Sequence, residues 1–110
     1  MRIELRNMED DYDALKDTIV SLYTEPFELF IDTKHISNVS LYMVTDFAFF
    51  LHQLKKKDPQ YLKYTTMWVY TEFIYNILYK LFTYLSRPIA PVKVIYMEED
   101  KIKYIKTFFP

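Results

Sequence analysis

Residues 64–97 read YTTMWVYTEFIYNILYKLFTYLSRPIAPVKVIYM, and this stretch decides the fold class. Tyr64–Tyr70 is a run of β-branched and aromatic residues, which suits a pleated, half-buried strand. Thr71 can cap a helix over Glu72–Leu85, whose apolar residues, Phe73, Ile77, Leu81 and Phe82 among them, occupy about two faces. Ser86–Pro91 forms a proline-closed loop, and Val92–Met97 is rich in β-branched residues again. Strand, helix and strand of these lengths make a crossover unit that joins parallel neighbours.

Outward from this unit the same alternation continues toward the N-terminus. Arg2–Arg6 alternates Ile3 and Leu5 with charges and reads as a short strand. Asp10 or Asp11 caps a helix that runs to about Tyr23 and ends at Glu25-Pro26, because proline bars its predecessor from helix. Phe27–Asp32 (FELFID) reads as a mostly buried strand. A helix over Leu41–Lys57 follows, capped by Asn38 or Ser40 and stopped at Asp58-Pro59. Toward the C-terminus, Glu98-Glu99-Asp100 suits a helix N-terminus and predicts a short last helix bearing Ile102, Ile105 and Phe108. The expected fold is a single α/β domain over residues 1–110, with a central, mostly parallel four-stranded sheet and helices on its faces.

The 110 residues include no glycine and no cysteine, but eleven Tyr, nine Phe and one Trp. Glycine is needed wherever the backbone must closely approach a phosphate or turn under strain. P-loops, dinucleotide fingerprints and nucleophile elbows are therefore excluded. The missing cysteines exclude disulfides, thiol nucleophiles and thiolate metal sites. Formal net charge is −1, which offers no global attraction to nucleic acid. Residues 1–32 carry nine acids against three bases, whereas residues 33–97 carry eight bases against three acids. The most basic spot, Lys55-Lys56-Lys57, sits where a helix ends and is favoured there by the helix dipole.

Individual residues offer little catalytic pattern. His35 and His52 are the only histidines, and no further ligand stands at a spacing that would complete a metal site. Asp32 ends a strand at the carboxyl edge of a parallel sheet, where it can cap the next turn or serve a site. The expectation is a non-enzymatic protein without cofactor or metal ion. It would be cytoplasmic, since Met1–Asp13 is no signal peptide and Leu41–Leu54 is too short to span a bilayer.

The ordered motifs resemble the CRAL-TRIO lipid-binding family. Phe30-Ile31-Asp32-Thr33-Lys34-His35-Ile36-Ser37 is similar to its core strand, and Asp58-Pro59-Gln60-Tyr61-Leu62 to the entry of its next strand. Ile77–Ser86 is similar to its hydrophobic helix, and Val92-Lys93-Val94-Ile95 to the strand that follows, over residues 27–110 in all. His35 stands at the family's glycine and Gln60 at its headgroup-binding glutamate. The resemblance implies that helix 72–85 gates an acyl chain, lined by Phe73, Ile77, Leu81 and Phe82, with Lys93 near the headgroup. A peripheral membrane contact would then be expected. A weaker, topological likeness to STAS domains implies instead a protein partner, in a homo- or hetero-oligomer, held on the same apolar helix face.

Overall fold

The computed structural model describes residues 2–4, 8–34, 41–85 and 87–110, so the segment containing His35, Ser37, Asn38 and Ser40 lies outside the described residues. Eight elements follow one another: β1 (Arg2–Glu4), α1 (Met8–Ser21), β2 (Phe27–Asp32), α2 (Leu41–Leu54), β3 (Leu62–Val69), α3 (Glu72–Lys80), β4 (Val92–Glu98) and β5 (Lys101–Phe108). The strands form one sheet in the order β1-β2-β3-β4-β5. The first four are parallel and β5 runs antiparallel to β4. The expected α/β architecture with a mostly parallel sheet is thus present, and a fifth strand extends it.

That fifth strand replaces the short helix expected after Glu98. Ile102, Ile105 and Phe108 have helical spacing, but KIKYIKTF also alternates, and its β-branched and aromatic residues favour a strand. The acids Glu99 and Asp100 are the two central residues of a tight hairpin turn with φ of 54° and 60°. A two-residue turn of this twist demands positive φ at both positions, where glycine or asparagine is usual. Here a chain without glycine holds two acidic residues in the left-handed region, because the ladder on either side of them fixes the turn.

Strand order decides where the helices go. Each parallel crossover moves one place in the same direction, and right-handed crossovers that never reverse put every helix on the same face. The core shows it. Leu15 and Ile19 of α1, Val44, Phe47 and Leu51 of α2, and Ile74 and Leu78 of α3 join one cluster with alternate residues of the strands, such as Ile31, Val69 and Val94. Thr71 caps α3 as expected, its hydroxyl accepting from the Ile74 N–H at 3.2 Å. Beyond Lys80 the helix widens into one π-helical turn, Leu81–Leu85, in which the adjacent Leu81 and Phe82 are both buried.

The second apolar side of α3 is met by the chain itself. Tyr75 stacks on Tyr104 of β5 at 5.7 Å between centroids and on Tyr96 of β4 at 5.9 Å. Tyr79 and Phe82 pack on Phe108 at 5.6 and 5.5 Å. Lys103 is the extra residue at a bulge opposite Tyr96/Met97, and its ammonium donates to Glu98 at 2.8 Å beside the Tyr96 and Tyr104 rings.

Replacing Glu99-Asp100 by Asn-Gly relieves the left-handed strain of both residues. The pair is expected to raise unfolding free energy by about 1 kcal/mol, read as a shifted urea midpoint at unchanged slope.

Candidate functional site

One alternation of strand residues faces the helices; the other faces away from them. Pairing registers place Phe30, Trp68, Ile95, Met97, Ile102 and Ile105 on this second face. Asp32, Trp68, Ile95 and Ile105 form one row across β2 to β5, and Phe30, Thr66, Lys93 and Thr107 form the row below it. Phe30 and Trp68 stack at 6.2 Å with 29° between their planes. Ile95 is buried by its strand neighbours yet stands apart from the main core cluster, whereas Val94 and Tyr96 beside it belong to that cluster. Ile102 and Ile105 are more than half exposed, at 56% and 52%. No described element covers this face. The face is mixed, since Asp32, Thr66, Lys93 and Thr107 share it with the apolar residues.

The residues expected to line an acyl site do not come together. Leu81 and Phe82 are core residues, Ile77 is partly buried, and Phe73 is 61% exposed. Lys93 lies on the sheet face that looks away from α3. A cavity does exist beneath α3, lined by Tyr12, Ile31, Val44, Met67, Ile74 and Leu78 among others. Its room for water-sized spheres is about 50 Å³, and its walls are almost wholly apolar. That volume suits a few waters or methyl groups rather than a complete acyl chain.

Beside the cavity mouth, α1 is tied to α2. Tyr12 Oη donates to Asp46 Oδ2, and Lys16 Nζ donates to the same oxygen at 3.2 Å. The tyrosine hydrogen bond, with that of Lys16, holds the Asp46 carboxyl below its ordinary range. Burial, reinforced by the Asp46 carboxylate, pushes the Tyr12 hydroxyl far up.

Other singled-out residues have structural partners. Asp32 Oδ1 accepts from the Lys34 N–H at 3.0 Å and from the Tyr70 hydroxyl at 2.8 Å, so it closes the turn after β2. Gln60 is a junction: its Oε1 accepts from the Tyr23 hydroxyl at 2.5 Å and from the Leu62 N–H at 3.3 Å, and its Nε2 donates to the Leu54 carbonyl at 2.8 Å. Lys55, Lys56 and Lys57 are exposed just past the end of α2, and Lys57 also covers the Tyr23 ring. His52 is an exposed helix residue, and among the described residues no three metal-type side chains cluster. No described helix is long and apolar enough to cross a membrane.

Comparison with protein-family profiles, with curated proteins and with solved structures finds no match for this chain. The likeness to CRAL-TRIO domains therefore rests on the residues quoted for it, and that to STAS domains on element order alone. Which sheet face the helices leave uncovered is not legible along the sequence, because strand order sets it. Residues 101–104 alternate, and the bulge at Lys103 then sets Ile105 on the same face as Ile102.

Mutational outcomes follow from the placement of α3 and from the Tyr12–Asp46–Lys16 contact. Leu81→Asp strands an unpaired charge in the core and is expected to unfold the domain, whereas Phe73→Asp leaves circular dichroism and melting unchanged. Tyr12→Phe is expected to cost about 1–2 kcal/mol in urea denaturation. The Asp46 contribution is present above the ordinary value of 3.8 and lost as pH falls below it. The Tyr12 contribution is present below the ordinary value of 10.0 and lost as pH rises above it. Asp46→Asn should flatten the acid side of the stability profile measured against pH.

Proposed function

We propose that this protein is a non-enzymatic interaction module that works in the cytoplasm and docks a protein partner on the open face of its sheet. The observation that carries the reading is the one-sided cover: three helices on one face, and Phe30, Trp68, Ile95, Met97, Ile102 and Ile105 on the other. Aromatic and aliphatic groups of this kind are favoured at the centres of protein interfaces. The exposed helix side supports the reading less well, since much of the apolar surface of α3 is already engaged by β4, β5 and the core. The cysteine-free sequence agrees with a reducing compartment.

A second reading, an apolar ligand beneath α3, is favoured by the apolar cavity there. Its occupant would be a small apolar group or the end of a chain, and solvent extraction followed by mass spectrometry of the purified protein should recover it in stoichiometric amount.

The main reading is tested by capturing complexes from cells that express the tagged protein, in parallel with Ile105→Glu. Wild type is expected to retain one polypeptide near one-to-one stoichiometry, and the variant, folded by circular dichroism, to lose it. Equal retention by both, or none by wild type, overturns the reading.

A further inference from the structure

We infer that the partner adds an extended acidic segment to this protein as a further strand, paired with the outer edge of β5. The inference rests on the interaction reading above and specifies the partner's chemistry and its mode of docking.

β1 closes the sheet on one side and β5 on the other. β1 is three residues long and β5 is eight, so β5 is the edge that offers a ladder of useful length. In an antiparallel pair, alternate residues turn both N–H and C=O toward the neighbouring strand, and the residues between them turn both away. Past the bulge at Lys103, Tyr104–Phe108 pairs residue for residue with Val92–Tyr96 of β4. The outward groups of that run keep the regular spacing a further strand needs. Among the described residues no strand pairs with them, and residues 101–106 are all exposed.

The side chains of β5 set what such a strand must carry. Residues 101–110 contain three lysines and no acid. The acids of the turn precede the strand: Glu98 holds Lys103 at 2.8 Å, and Asp100 stands 3.9 Å from Lys34. Lys101 and Lys106 have no ion-pair partner among the described residues. Like charges oppose the pairing of two copies of this edge, whereas carboxylates set across from the same lysines are favoured.

Between the lysines, Ile102, Tyr104 and Ile105 are exposed. Ile102 and Ile105 lie on the open face, opposite Met97 and Ile95 of β4, and Lys106 lies on the helix side, opposite Val94. The segment that fits therefore alternates. Its acids stand on the helix side, beside Lys106, and its β-branched or aromatic residues stand on the open side, beside Ile102 and Ile105. Main-chain hydrogen bonds give such a strand its affinity, and the two alternations give its specificity.

Fluorescence anisotropy with a labelled heptapeptide that alternates glutamate and valine tests the inference, and a heptapeptide that alternates lysine and valine is its control. The glutamate peptide is expected to bind saturably, and the lysine peptide about tenfold more weakly or worse. Lys101→Glu combined with Lys106→Glu, both at exposed positions, is expected to leave circular dichroism unchanged and to reverse that preference. Amide hydrogen exchange followed by NMR reads the backbone: alternate amides within Tyr104–Phe108 should slow about tenfold or more when the glutamate peptide is added.

No saturable binding, equal binding of the two peptides, or binding that leaves the β5 amides unchanged overturns the inference. A wild type that self-associates and protects the same amides without peptide places a second copy on the edge and also overturns it. The interaction reading is judged separately, by capture. A captured polypeptide that Ile105→Glu releases and the double lysine variant retains keeps that reading and overturns docking at the edge. Glutamate peptide bound at β5 with nothing captured by wild type keeps the preference of the edge and overturns the reading.

Discussion

Every parallel step in this sheet goes the same way, and from that one constraint the rest of the structure follows. A right-handed crossover places its helix on a face set by the direction of the step. Doubly wound sheets reverse direction midway and so cover both faces. Here the order runs without reversal from β1 to β4, so α1, α2 and α3 share one face and one core. Among the described residues no helix lies on the opposite face, where Phe30, Trp68, Ile95, Met97, Ile102 and Ile105 stand.

The aromatic residues serve this arrangement. Tyr75, Tyr79 and Phe82 hold the antiparallel strand β5 onto the end of the sheet through Tyr96, Tyr104 and Phe108. Without that seam, β5 would be an edge strand with one neighbour and little to pack against. With it, the sheet gains a fifth strand, and the open face gains Ile102 and Ile105. The same seam accounts for the two apolar sides of α3, which the sequence suggested were waiting for a lipid or a partner. Much of that surface is satisfied internally by β4, β5 and the core.

Charge along the chain follows the direction of the helices. Each helix runs antiparallel to the strands it connects, so the C-terminal ends of α2 and α3 lie at the edge where β3 and β4 begin. Lys55, Lys56, Lys57 and Lys80 stand at these ends, where the helix dipole favours cations. Helix orientation thus accounts for four of the eight bases in the basic middle of the sequence. Lys93, the second residue of β4, lies instead on the sheet face away from the helices, between Thr66 and Thr107.

Local pattern determined most of the elements. The Pro26 and Pro59 stops, the Thr71 cap and the β-branched runs of β2, β3 and β4 are short-range physics, and each element stands where those signals put it. The apolar residues of α3 were legible too, as was the absence of glycine-dependent phosphate chemistry. What local pattern could not decide was the fate of residues 98–108. Helical and alternating spacings coexist there, and the acidic triplet suits both a helix start and a turn. The choice was made by β4, whose unpaired edge offered a ladder, and by the aromatic rings of α3, which offered a surface. Nor could pattern decide which strand face would be covered, because both alternations of β3 and β4 are apolar. Strand order settled that, and strand order is a property of the assembled chain: it depends on contacts between residues distant in sequence, which no window along the sequence contains.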